Sequence, residues 1–168
     1  MLSSVAHAQV FQTQAQALHE VFLSANVLRQ ELFLTPEQKS MIEQRARSKL
    51  DSQLLVYYQA MRDGKNLGYA FFDTHVVRTQ PETLLVVLDA ESRVTSICTL
   101  AFNEPQDFLP PQRWLKLFQG RTLSDALWLK QDIVAVAGST LSSWATLKAV
   151  RRALAVYDVM IRSKDSIP

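Results

Sequence analysis

The chain has 168 residues, 48% hydrophobic and 20% charged, a balance that suits one globular domain able to bury its own core. Its formal net charge is +2 with Lys and Arg dispersed, which argues against the concentrated basic footprint of a nucleic-acid surface. Cys98 stands alone, which excludes an intrachain disulfide and a multi-cysteine metal site, and no apolar run approaches the roughly 20 residues of a transmembrane helix.

Residues 1–8 end in Ala6-His7-Ala8, the small-x-small form that precedes a signal-peptidase cut. They read as a signal-peptide remnant, which implies export, or as an ordinary terminus. Across 10–25, Phe11, Ala15, Leu18 and Phe22 recur at helical spacing above a Gln-rich polar face, which suits packing on protein better than on a membrane. A second helix starts at Thr35-Pro36-Glu37-Gln38, where Thr35 caps, Pro36 fits the first turn and Gln38 completes a capping box; it runs to about 47. The stretch 9–50 therefore reads as a helical extension. The period then changes. Residues 54–61 and 68–77 are strand-like about an Asp63-Gly64-Lys65-Asn66 turn, and 83–88 and 94–100 are a second pair about a polar turn. Their density in Val, Leu, Tyr and Phe points to an antiparallel meander. Cys98 falls within the last of these strands, as a buried small hydrophobe.

After Phe102 the chain is irregular through Asn103-Glu104-Pro105 and Pro110-Pro111, and a short helix bearing Trp114, Leu115, Leu117 and Phe118 stops at Gly120. A loop over 125–136 leads to the strongest helix, 141–159, with Arg151 and Arg152 expected on its solvated side. A polar tail closes the chain. The predicted fold is α+β: an antiparallel sheet packed with helices over 51–160, after the helical extension and before a disordered tail at 161–168.

The segment Ala135-Val-Ala-Gly-Ser-Thr-Leu-Ser-Ser143 holds the most chemistry. Glycine followed by hydroxyl residues at a helix start leaves backbone N–H groups facing outward at the positive end of the helix dipole, an arrangement suited to phosphate. The same residues also make an ordinary N-cap. Local chemistry leaves both readings open.

This stretch resembles the flavinylation motif of the FMN-binding domain family, whose pattern is roughly Asp-x-x-Ser/Thr-Gly-Ala-Thr followed by an apolar residue, Ser/Thr and Ser. Gly138, Thr140, Leu141, Ser142 and Ser143 match; Ala137, Ser139 and Val134 depart from the pattern, Val134 standing where the family has Asp, with Asp132 two positions too early. Similarity extends over about 54–157: Gly68-Tyr69 before a strand, the hairpin through Asp89, Asn103-Glu104-Pro105 in the place of a loop near the flavin, and the short helix ending at Gly120. The resemblance implies an FMN-binding-domain-like fold and an FMN cofactor, held through a phosphodiester to Thr140 or noncovalently. It places Gly138, Ser139, Thr140, Leu141 and Ser142 at the phosphate, and Asn103, Glu104 and His75 near the flavin. It also implies a flavin transferase in maturation and a membrane-bound or exported redox protein as partner.

Each candidate has a plainer role beside this one. His75 reads as a structural surface histidine as well as a flavin contact, and Glu104 as a loop brace as well as a flavin neighbour. Trp114, Phe118, Trp128 and Trp144 read mainly as core, with one of them near the ring. His7, His19 and His75 lack metal-ligand spacing. The functional expectation is an exported electron-transfer flavoprotein at the periplasmic or extracytoplasmic face of the membrane. The alternatives are a flavin-free accessory subunit that keeps the fold and a flavin-dependent reductase with its own substrate.

Overall fold

Two capping boxes set the start of the chain's first helices. Thr13 accepts from the Gln16 amide while the Gln16 side chain returns to the Thr13 amide, and Thr35 and Gln38 repeat the arrangement. The computed structural model describes residues 9–124 and 126–162; the readings of 1–8 and of 163–168 lie outside them. Helix α1 (Gln14–Val21) is shorter than the apolar spacing predicts, because its cap is Thr13 and a two-residue strand β1 (Gln9–Val10) precedes it. Helix α2 (Pro36–Ala46) ends where Arg47 turns left-handed at φ 52°.

The segment between these helices is not helical. Asn26–Phe33 form strand β2, which pairs antiparallel with β3 (Leu54–Arg62) along its whole length. The stretch read as a helical extension thus supplies part of the sheet. Its alternation of Val27, Arg29, Glu31 and Phe33 with Leu28, Gln30 and Leu32 becomes two-faced only once β3 lies beside it. Strands β4 (Lys65–Val76), β5 (Pro81–Leu88) and β6 (Val94–Phe102) complete an antiparallel meander in the order β1-β6-β5-β4-β3-β2. Where β3 shifts register at Ala60/Met61, Gly68 sits at φ 144° against the Leu88 carbonyl, and a Cβ there would collide with that oxygen.

The sheet separates two apolar layers. On one face Tyr57, Tyr69, Phe71, Val86 and Leu88 pack against Ile42 of α2, Trp114 and Leu115 of α3 (Gln112–Leu115), and Leu147, Val150 and Leu154 of α4 (Thr140–Val156). On the other, a smaller cluster of Ala60, Ala70, Leu85, Val87 and Leu100 is covered by Ala17 of α1 and by Phe22. The architecture is α+β, with an antiparallel sheet packed with helices. Among the described residues no helix is long and apolar enough to cross a membrane.

Helix α4 runs on into a π turn, Tyr157–Ile161, whose last residue is buried, so Ile161 belongs to the packed structure and not to a tail. The expectation that Arg151 and Arg152 face solvent is overturned. Arg151 is 1% exposed, and its guanidinium donates to the carbonyls of Arg45, Ala46, Ser124 and Leu127. Two of those carbonyls are free ends of α2, where the helix dipole is negative, and this makes burial of a cation tolerable. Arg152 is only partly exposed and grips Asp73 and Ser48.

Candidate functional site

The approach to α4 is built so that its first turn stays open. Gly138 takes φ 82°, and the Ser139 amide bonds back to the Val136 carbonyl at 3.1 Å. The Ser139 hydroxyl turns away from the helix and donates to the Asp107 carbonyl at 3.3 Å, so among the described residues no side chain caps the N–H groups of Thr140, Leu141 and Ser142. Ser143 is fully engaged: its hydroxyl donates to the Ser139 carbonyl at 2.9 Å and accepts from the Val136 amide at 3.2 Å. Ser142 is the opposite case, 1% exposed with a hydroxyl that has no partner among the described residues. Thr140 and Leu141 stand exposed beside it.

Across from this turn lies a side chain that the sequence reading did not single out. Arg78, in the β4–β5 loop, stacks its guanidinium over the Phe108 ring at 4.6 Å and lines, with Phe108 and residues 138–142, a cleft of about 180 Å³. Its loop is held by Glu104, whose Oε1 accepts from the backbone amides of Arg78, Thr79 and Gln80 at 3.2, 2.7 and 2.9 Å. The Thr79 amide chiefly, with those of Gln80 and Arg78, holds the Glu104 carboxyl below its ordinary value against the opposing effect of burial. Glu104 is therefore a brace that positions Arg78. Asn103 donates its backbone N–H to the Pro81 carbonyl and keeps a buried Oδ1 with no partner among the described residues; neither residue lines the cleft.

A second cleft of about 180 Å³ shares Leu141 with the first and runs along α4 past Trp144, Ala145, Lys148 and Arg152, with His75, Val76 and Val77 opposite. His75 is clamped there, Nδ1 at 2.8 Å from Asp73 and Nε2 at 3.1 Å from Glu82, while Arg152 binds both oxygens of Asp73 at 2.6 and 2.7 Å. Burial opposes charge on His75, but Asp73 and Glu82 outweigh it and raise its pKa above the ordinary value. Burial likewise opposes ionisation of Asp73, and its bonds from His75 and Arg152 bring it down to about 2. Of the aromatic candidates, Trp144 lines this cleft, packed edge-on against Trp128 at 5.1 Å, whereas Trp114 and Phe118 are buried against each other.

The departures from the flavinylation pattern also have positions. Val134 is 70% exposed and offers no carboxylate, and Asp132 is paired with Arg121 at 3.1 Å. Cys98 is half-buried in β6, where burial raises its thiol pKa. The open N–H groups, the free Ser142 hydroxyl and the Arg78 cation together fit a phosphate group, which accepts hydrogen bonds on every oxygen and carries negative charge. No protein-family model matches the chain, and no curated protein matches it.

Proposed function

We propose that the protein is an exported FMN-binding electron-transfer protein of the FMN-binding-domain type, serving a membrane-bound or exported redox partner. The observation that carries this reading is the uncapped first turn of α4. Its amides meet no side-chain cap among the described residues, with the buried, unpartnered Ser142 hydroxyl beneath them, and they border a cleft that Arg78 closes from the other side. An ordinary N-cap would satisfy those amides from within the chain; here they are left to a ligand or to water.

In this reading the amides of Thr140, Leu141 and Ser142 and the Ser142 hydroxyl hold the phosphate, and Arg78, fixed by Glu104, neutralises it. Thr140, at the first helical position, offers an exposed hydroxyl for a phosphodiester. Leu141, Val76 and Trp144 provide an apolar wall along the adjoining cleft, and Lys148 adds positive charge there. Bound FMN supplies a ring system that takes up one or two electrons, while the protein contributes position and electrostatics.

Production with a matching flavin transferase, followed by intact mass and visible absorbance, tests the proposal, with Thr140→Val as the informative variant. The wild type is expected to be yellow and heavier by one flavin nucleotide, and the variant folded and colourless. Flavin retained by the variant would place the anchor elsewhere. A colourless wild type of unmodified mass that binds no added FMN would favour the flavin-free accessory subunit, a reading supported by the exposed Val134 where the motif has Asp.

A further inference from the structure

Strand β2 lies at one edge of the sheet, and along Asn26–Phe33 no strand among the described residues covers its outward backbone groups. Edge strands are usually blunted by shortness, proline, a bulge or charged side chains, lysine above all. β2 is eight residues long, contains neither proline nor lysine, and pairs with β3 without a register shift. It also leaves Phe33 75% and Leu28 40% exposed. Its charges are one Arg and one Glu, Arg29 and Glu31, paired with each other on the same face on either side of Gln30.

That placement is self-complementary. When two copies of a strand meet antiparallel about a two-fold axis normal to the sheet, the residue on the axis faces itself and its neighbours face each other crosswise. With Gln30 on the axis, Arg29 of each copy lies opposite Glu31 of the other, Leu28 opposite Leu32, and Val27 opposite Phe33. With Arg29 or Glu31 on the axis, like charges would face each other. Directly opposite pairs are the unit of sheet stabilisation, so the charges select one register and penalise its nearest alternatives.

We propose that β2 is a homodimerisation edge: two copies of this chain pair β2 to β2, antiparallel about Gln30, and join two six-stranded sheets into one. Phe33 is then covered by Val27 of the second copy, and each Arg29–Glu31 pair gains a cross-strand counterpart. The inference is independent of flavin.

Sedimentation equilibrium of the full chain is expected to give twice the 19.0 kDa chain mass, with the dimer weakening as salt rises. Arg29→Glu and Glu31→Arg each turn two attractive cross-strand pairs into two repulsive ones and are expected to raise the dissociation constant on the order of tenfold or more. The double variant Arg29→Glu/Glu31→Arg is expected to recover the dimer, and circular dichroism checks that each variant is folded. Register is read separately by Gln30→Cys, which places the two facing Cα atoms about 4.5–5.5 Å apart, inside the roughly 4.4–6.8 Å Cα range of a disulfide, and should crosslink on mild oxidation. Asn26→Cys and the wild type, which keeps Cys98, should not. A chain that stays monomeric at high micromolar concentration overturns the proposal. So does a dimer indifferent to both reversals, or a folded double variant that remains monomeric.

Discussion

Replacing Ser142 by Ala separates a ligand-facing hydroxyl from a structural one, because the two roles predict opposite signs. Ser142 is 1% exposed and its hydroxyl has no partner among the described residues, so removing it should relieve the protein rather than injure it. An unsatisfied buried polar group costs about 1–3 kcal/mol, part of which cleft water recovers. Ala also exceeds Ser in helix propensity by roughly 0.5 kcal/mol. The ligand-free variant is therefore expected to gain about 1 kcal/mol, a rise in melting temperature of roughly 3 °C for a domain of this size. FMN binding should move the other way. Loss of one hydrogen bond to a charged phosphate is worth about 1.5–3 kcal/mol, or roughly ten- to a hundredfold in affinity. Thermal scans with and without FMN, together with a flavin-fluorescence titration, measure both. A variant that melts lower without ligand would show the hydroxyl bonded within the protein, and unchanged FMN affinity would show it facing no phosphate; either result refutes the reasoning.

Arg151→Met should lower stability by about 3 kcal/mol or more, since it strips buried carbonyls of their donors; a urea midpoint that moves by the equivalent of less than about 1 kcal/mol at unchanged slope would contradict the buried placement. Gly68→Ala forces a Cβ onto the Leu88 carbonyl at φ 144°, and a fall in stability of about 2 kcal/mol or more is expected; a melting temperature equal to wild type would mean that the strand relaxes there without strain. Stability should plateau at mildly acidic to near-neutral pH and fall on both sides. Asp73, depressed to about 2, contributes above its ordinary pKa, and that contribution fades as pH drops toward 2. His75 is raised, so its contribution is complete below its ordinary pKa and is lost as pH climbs through the higher folded value. Urea titrations across pH test this, and an alkaline limb that survives unchanged in His75→Gln would remove His75 as its source.

Much of the local architecture can be read without tertiary information. The Thr35/Gln38 box, the Asp63-Gly64 turn, the hairpin about Asp89 and the stop at Gly120 each lie within a residue or two of their expected positions. The cluster 138–142 at the mouth of α4 was also visible, because a helix start, its glycine and its hydroxyls are consecutive residues. Glu104 was legible only as a choice between brace and ligand neighbour, and the amides of residues 78–80 make it a brace.

Caps, turns and alternation act over a few residues, so adjacent side chains encode them and the sequence alone determined the β3–β6 meander and the start of α4. Three other features depended on partners far along the chain. β2 is a strand because β3 lies beside it. Arg78 faces the cleft at the mouth of α4 because Glu104, 26 residues later, folds its loop into place. Arg151 is buried because its acceptors come from residues 24 to 106 positions away, and no local pattern marks a cation whose solvation is supplied by distant carbonyls. Only the tertiary structure brings those acceptors together, and the free energy of burying a charged or polar group is set by what surrounds it there.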